Sequence, residues 1–349
     1  MSASAWDKTA ADLSAIGSPI NARVLCTRLT RIALGQADLD SLGKKAAAFV
    51  GTELSLALPE VTEQERSTDG STKVVLRLAD GALIEGVHMP RAVKNPRVTV
   101  CLSSQVGCAM GCTFCRTAEM GLVRNLTAAE IMGQLLAVLR ACGTTDSRRV
   151  NVVFMGMGEP LHNVVPVLGA VRAMCEPAGL SIAPSRVTVS TSGLVAGIDA
   201  LAHAEVRPCL ALSVNATTDV ARTRTMPVTK RHGLLELRAA LERFPKRPHE
   251  KITIEYVLLS GENDTEEDAR RLAHFCEGFR HVVNVIPYNA FKGARFAAPS
   301  DETIALFVGA AQSAGALVTV RHSRGRDVSG ACGQLAQRGR KNRSLDVVA

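Results

Sequence analysis

Three cysteines stand close together in Cys108-Ala-Met-Gly-Cys112-Thr-Phe-Cys115. Gaps of three and two residues let one short loop turn three thiolates onto a single inorganic centre. Zinc usually takes a fourth Cys or His at matched spacing, for which His88 on a neighbouring strand is the candidate. A 4Fe–4S cluster held by three thiolates leaves one iron open, which calls for a bound small molecule. Spacing alone leaves both readings open, together with a chance grouping of thiols. A second constellation, Phe154-Met-Gly-Met-Gly-Glu-Pro160, offers glycines for close backbone approach and an acid that could meet an ammonium group. Alone it is also a plain strand-to-helix turn. Glu85, Cys101 and Cys332 taken singly are a strand carboxylate, a strand thiol and a tail thiol.

These residues need elements that bring them together. Apolar β-rich runs occur at 98–102, 150–155, 187–190, 206–214, 252–259 and 282–286, each followed by an amphipathic helical stretch. Thr127 with Glu130 predicts a capping box before one helix, and Thr265 with Asp268 opens another. Six strand-helix units predict an α/β fold with a parallel sheet, a partial barrel whose chemistry collects at the carboxyl ends of its strands. A final helix from Ser300 and an extra strand over 317–321 follow. Upstream, Lys73-Val-Val-Leu-Arg-Leu, the turn Ala79-Asp-Gly and the run from Ala82 to Met89 predict a hairpin. The expected organisation is a helical accessory region at 1–50, a β-hairpin extension at 51–93, a barrel at 94–327 and a tail at 328–349.

The cysteine triplet in the first loop of such a barrel resembles the signature of the radical S-adenosylmethionine (SAM) enzymes. Five stretches are similar to the RlmN/Cfr family of RNA adenine methyltransferases within it. They are Cys101-Leu-Ser-Ser-Gln-Val-Gly-Cys108, the run from Leu122 to Gln134, Phe154 to Asn163, Ser190-Thr-Ser-Gly193 and Ala331-Cys-Gly-Gln-Leu-Ala336. The likeness runs from about Glu85 to Ala336 and is faint before residue 70. It implies a partial (β/α)6 TIM-like radical SAM barrel with a 4Fe–4S cluster on Cys108, Cys112 and Cys115 and SAM at the open iron. Gly158, Glu159, Ser190, Ser213, Asn215 and Asn289 fall at the SAM-contact positions. Where the family usually shows Ser-Leu-His, this chain has Ser213-Val-Asn215. Asparagine can donate and accept a hydrogen bond but cannot take up a proton.

The resemblance also implies a reaction. A ring carbon of adenine is too electron-poor to attack a methyl sulfonium, so the methyl must be held where a radical can activate it. Cys332 matches the position that carries the methyl as S-methylcysteine, and two SAM molecules are used. Cys101 matches the thiol that forms a transient disulfide with Cys332 to free the product, reset by external reductant. Glu85 matches a glutamate acting as proton acceptor. Carbon 2 of a 23S rRNA adenosine is the first target, with a tRNA adenosine beside it. Carbon 8 of the rRNA adenosine and a paralogue with another RNA target are the alternatives. A non-catalytic iron–sulfur or zinc RNA-binding module is the reading from a different class.

Composition narrows the partners. The 349 residues carry 41 Lys and Arg against 33 Asp and Glu, a formal charge of +8 that suits nucleic acid. Basic residues gather at 222–231, at Arg321, Arg324 and Arg326, and at 338–343, where phosphate neutralisation is the expected use. Aromatic residues make up 3%, which argues against a base-stacking sheet. No apolar run is long enough for a membrane span and the opening residues do not resemble a signal peptide, so a cytoplasmic monomer with no membrane contact is expected. An external electron donor for the cluster is expected as well. Of ten cysteines, Cys26, Cys142, Cys175, Cys209 and Cys276 are expected to be small core residues.

Overall fold

The computed structural model describes residues 3–91, 96–291 and 293–335. The basic stretch at 338–343 and the last residue of the Ala331 to Ala336 motif lie outside the described residues.

Among the described residues ten strands form one sheet: β1 (Glu60–Arg66), β2 (Thr72–Arg77), β3 (Leu83–Arg91), β4 (Arg97–Cys101), β5 (Val150–Phe154), β6 (Val187–Thr191), β7 (Cys209–Ser213), β8 (Ile252–Leu258), β9 (His281–Pro287) and β10 (Val318–Val320). Their spatial order is their chain order, from β10 at one edge to β1 at the other. From β4 to β10 every neighbouring pair is parallel, whereas β1 to β4 pair antiparallel. The hairpin and the barrel strands are therefore continuous, joined where Val87 of β3 pairs with Cys101 of β4.

Helices between the parallel strands cover the outer face, as expected for strands rich in branched apolar residues. Helix Ala128–Ala141 begins at the capping box: Thr127 Oγ1 accepts from the Glu130 amide and the Glu130 carboxylate accepts from the Thr127 amide. Thr265 caps helix Glu266–Phe275 through the amide of Asp268. Helices Ala10–Ala15, Ala22–Ala33 and Lys44–Glu53 add their buried Leu13, Leu25, Leu29 and Val50 to the same apolar core as Met132 and Leu136. Among the described residues no helix is long and apolar enough to cross a membrane.

β1 has no counterpart in the sequence reading. Its seven residues, Glu-Val-Thr-Glu-Gln-Glu-Arg, form an exposed edge strand with no apolar face to betray it. Charged residues on such an edge discourage pairing with other chains.

Candidate active site

The loop after β4 is built by backbone contacts. A short strand, Gln105–Gly107, pairs with Leu122–Asn125 and leaves 108–121 as the arch between them, with the three cysteines in its first half. Gly107 has φ +75° and a Cβ there would lie 1.8 Å from the Gly121 carbonyl oxygen, so glycine is required. The Thr113 amide donates to Thr225 O at 3.0 Å, tying the arch to helix Asp219–Thr225. Phe114, Met226, Val228, Leu259 and Tyr288 form a small apolar cluster against which Cys112 and Cys115 pack.

The turn after β5 locks against the same loop. The Gly156 amide donates to Leu102 O at 3.0 Å, an approach that a Cβ, 2.7 Å from that oxygen, would prevent. Gly158 has φ +99° and rests on Gln105, whose Oε1 accepts the Glu159 amide at 2.8 Å. Glu159 is buried, and both its carboxylate oxygens are used: Oε1 accepts from the Leu161 amide at 3.0 Å and Oε2 from the Ser192 amide at 2.8 Å. Three of the quoted sequence stretches thus exist largely to hold one another. Burial pushes the Glu159 carboxyl upward while these donors pull it back.

Two cavities meet here. One, about 160 Å³, is lined by Cys108, Cys112, Cys115, Gly158, Glu159, Ser190, Ser213 and Asn215 among others. The other, about 580 Å³, is lined by Cys101, Arg91, Arg186, Arg321, His322 and Arg324 among others. Cys332 and Met155 border both. Glu85 and Asn289 border neither. Glu85 is buried on β3, two residues before Val87 and so on the same strand face, and its carbonyl accepts from Ser103 Oγ at 2.7 Å. Asn289 is buried and donates from Nδ2 to Ser323 Oγ at 2.7 Å.

Asn215 lines the smaller cavity, but its amide is engaged: Oδ1 accepts from the Val257 amide at 2.8 Å and Nδ2 donates to Met226 Sδ at 3.3 Å. Its φ of +55° belongs to the left-handed region, which asparagine enters more readily than most residues.

All ten cysteines are free: Cys101 and Cys332 are both thiols here, so the disulfide expected between them is not a standing bond of this structure. Burial pushes the Cys101 thiol up to about 12, with the Cys332 sulfur adding to it. Burial raises Cys332 too, and the Arg321 guanidinium opposes it. Cys26 and Cys276 are core residues as expected; Cys142, Cys175 and Cys209 are only half-buried.

The basic stretches divide differently from the sequence reading. Arg222 is wholly buried, donating to Val214 O at 3.0 Å, Ser192 O at 2.5 Å, Ser213 O at 3.1 Å and Thr229 Oγ1 at 2.8 Å. It is a strut beneath the smaller cavity, while Arg224, Lys230 and Arg231 are exposed. Arg324 donates to Pro90 O and Asp69 O, which fastens the tail to the hairpin. Arg321 lies 3.5 Å from Glu255 Oε1. Of the three arginines before Cys332 only Arg326 is exposed.

Glu255 was missed. It lies 4% exposed on β8 and lines the smaller cavity. The signal was present: a glutamate inside the apolar run Ile252-Thr-Ile-Glu-Tyr-Val-Leu.

A parallel open sheet with three thiols on one cavity, next to a glycine-built turn, is the architecture of radical SAM proteins, and the radical SAM superfamily profile matches residues 102–273. A dual-specificity RNA methyltransferase RlmN of Syntrophotalea carbinolica is 45% identical over 282 residues, 81% of this chain and 73% of that protein. The protein of the same name from Campylobacter jejuni is 37% identical, covering 87% of this chain and 88% of its own. The crystal structure of a radical SAM methyltransferase from Sphaerobacter thermophilus superposes with a TM-score of 0.86 at 38% identity, covering 95% of this chain and 98% of that one. The chain belongs to the RlmN family of the radical SAM superfamily.

That membership implies SAM and an iron–sulfur cluster, and the residues fit both. Among the described residues no three His, Cys, Asp or Glu side chains converge closely enough to hold a single metal ion. His88, the candidate fourth zinc ligand, does not line the cavity of the three thiols and meets Thr144 Oγ1 at 2.8 Å. Three thiols spread around one cavity suit a polynuclear cluster, in which each sulfur takes a different iron. Burial and mutual repulsion raise the Cys112 thiol well above its usual value, so a cationic centre is what would let the three ionise together.

Proposed function

We propose that the protein methylates a ring carbon of adenosine in RNA through a methyl carried on Cys332, with carbon 2 of a 23S rRNA adenosine as target and a tRNA adenosine beside it. One observation carries the reading: Cys332 borders both the cavity of the three thiols and the larger basic cavity. The relatives' name supports an RNA substrate. A 4Fe–4S cluster on Cys108, Cys112 and Cys115, with SAM bound, would supply a 5′-deoxyadenosyl radical in the smaller cavity.

The chain's own residues do the rest. The Cys332 sulfur accepts a methyl from one SAM, forming a carbon–sulfur bond as S-adenosylhomocysteine leaves. Gly158 and Glu159 with Ser190 and Ser213 shape the SAM site, with Asn215 in its wall and Asn289 holding the segment around Ser323. A splayed-out nucleotide enters the larger cavity, whose volume lies in the range usual for ligand sites. Cys101, from the strand facing Val87, is the second thiol, taking the Cys332 sulfur as product leaves in a pairing that exists only during turnover. Glu85, on the same face of β3 as Val87, receives the proton lost from the adenine carbon. In this reading residues 1–50 are an accessory region, 51–93 an extension, 94–327 the barrel and 328–349 the tail that brings the carrier.

The test is reconstituted protein with SAM, a low-potential reductant and unmodified ribosomal or transfer RNA, followed by nucleoside mass spectrometry. The expected products are 2-methyladenosine and 5′-deoxyadenosine. 8-Methyladenosine would overturn the target carbon, and unmodified RNA would overturn the reading.

A further inference from the structure

Among the described residues, three buried polar atoms around the smaller cavity lack a hydrogen-bond partner: Ser192 Oγ, Glu255 Oε2 and the Tyr288 hydroxyl. Buried polar atoms are rarely left so, and an unmatched carboxylate oxygen is the costliest of the three. Glu255 stands out because half of it is fixed. Its Oε1 accepts from Asn284 Nδ2 at 3.0 Å and faces Arg321 Nη1 at 3.5 Å. The carboxylate cannot turn to satisfy Oε2 without giving up these two donors.

Position suggests the ligand. Glu255 and Val257, alternate residues of β8, both line the smaller cavity, and Glu255 pairs across the sheet with Ser213. The Arg321 it holds lines the larger cavity with Cys101 and Cys332. Glu255 therefore stands on the side of the smaller cavity next to the methyl carrier. An adenosyl ligand working on Cys332 must bring its 5′ carbon to that side, and that carbon is part of the ribose, one bond from the ring. Its 2′ and 3′ hydroxyls are the donors nearest to it.

We propose that Glu255 is the ribose-recognising residue of this cavity, its Oε2 accepting a hydrogen bond from a ribose hydroxyl of SAM. The inference rests on the reading of the smaller cavity as the SAM site. Asn284 and Arg321 act behind it as positioning residues that aim the carboxylate.

The experiment is equilibrium dialysis of S-adenosylhomocysteine and of its 2′,3′-dideoxy analogue against cluster-reconstituted protein, without RNA. Glu255→Gln is expected to weaken S-adenosylhomocysteine about tenfold or more, the range for a hydrogen bond to a charged group, and to bind the dideoxy analogue as the unaltered protein does. Unchanged S-adenosylhomocysteine binding would overturn the proposal. So would an equal loss for both ligands, which would mean general damage to the site. If E255Q fails to take up iron, Glu255→Asp is read by the same two ligands. Because RNA is absent, the result stands whether or not RNA is methylated.

Discussion

The amide of Arg116, the residue after Cys115, donates to the carbonyl of Gly333, the residue after Cys332, at 2.9 Å. One residue further, Thr117 Oγ1 donates to Leu335 O at 2.5 Å. The loop proposed to hold the cluster thus also holds the tail that brings the carrier thiol, and one rigid contact sets the spacing between the two chemistries.

Thr117→Val keeps the shape and removes the second of these bonds, leaving the buried Leu335 carbonyl unpaired at a cost of about 1–3 kcal/mol. Amide hydrogen exchange over 331–335 should rise severalfold while iron content stays constant. Unchanged exchange would mean that the tail is held by other contacts.

Arg222 separates a structural arginine from RNA-binding ones. Burial draws its guanidinium down to about 10, still charged at neutral pH. Arg222→Met strips donors from the carbonyls of Ser192, Ser213 and Val214, and should cost about 3 kcal/mol in urea unfolding together with SAM binding. Alanines at Arg224, Lys230 and Arg231 should change stability by only about 0.5 kcal/mol and flatten the salt dependence of RNA binding. The reverse pattern would restore Arg222 to the RNA surface.

Acid should release the tail from the hairpin. Burial tends to raise the Asp69 carboxyl, but the amides of Gly325 and Ser71 and the hydroxyls of Ser71 and Ser67 outweigh it and hold it at about 2, below its usual 3.8. A depressed carboxyl contributes stability that is full above the unfolded value and is lost as pH falls through the folded one. Exchange over 322–335 should therefore climb as pH drops from about 4 toward 2, once corrected for intrinsic rates. Asp69→Asn should show the loosened tail already at pH 7 with little further acid response.

Much of this was legible in sequence because the periodicities were strong. The apolar runs of β4 to β9 and the Thr127 capping box stand where patterning puts them, since strands covered by helices must be apolar throughout. Cys108, Cys112 and Cys115 stood out by spacing, and the fold brings all three to one cavity. Glu255 did not, because a lone carboxylate in an apolar strand has meaning only once its cavity exists. Arg222 was misread because a basic residue in a basic stretch looks solvated until its four acceptors converge from 192, 213, 214 and 229. Charge runs report composition, whereas a buried guanidinium is a product of tertiary contacts.

The central claim is that Cys332 carries the methyl from one cavity to the other. Protein whose Cys332 bears an unlabelled methyl, exposed to SAM with a trideuterated methyl group and to RNA for one turnover, tests it most directly. The first methyladenosine should carry carbon and hydrogen from the protein-bound methyl, with deuterium appearing only in later turnovers, and Cys332→Ala should yield none. A first product bearing the deuterated methyl, or product from C332A, would contradict the account.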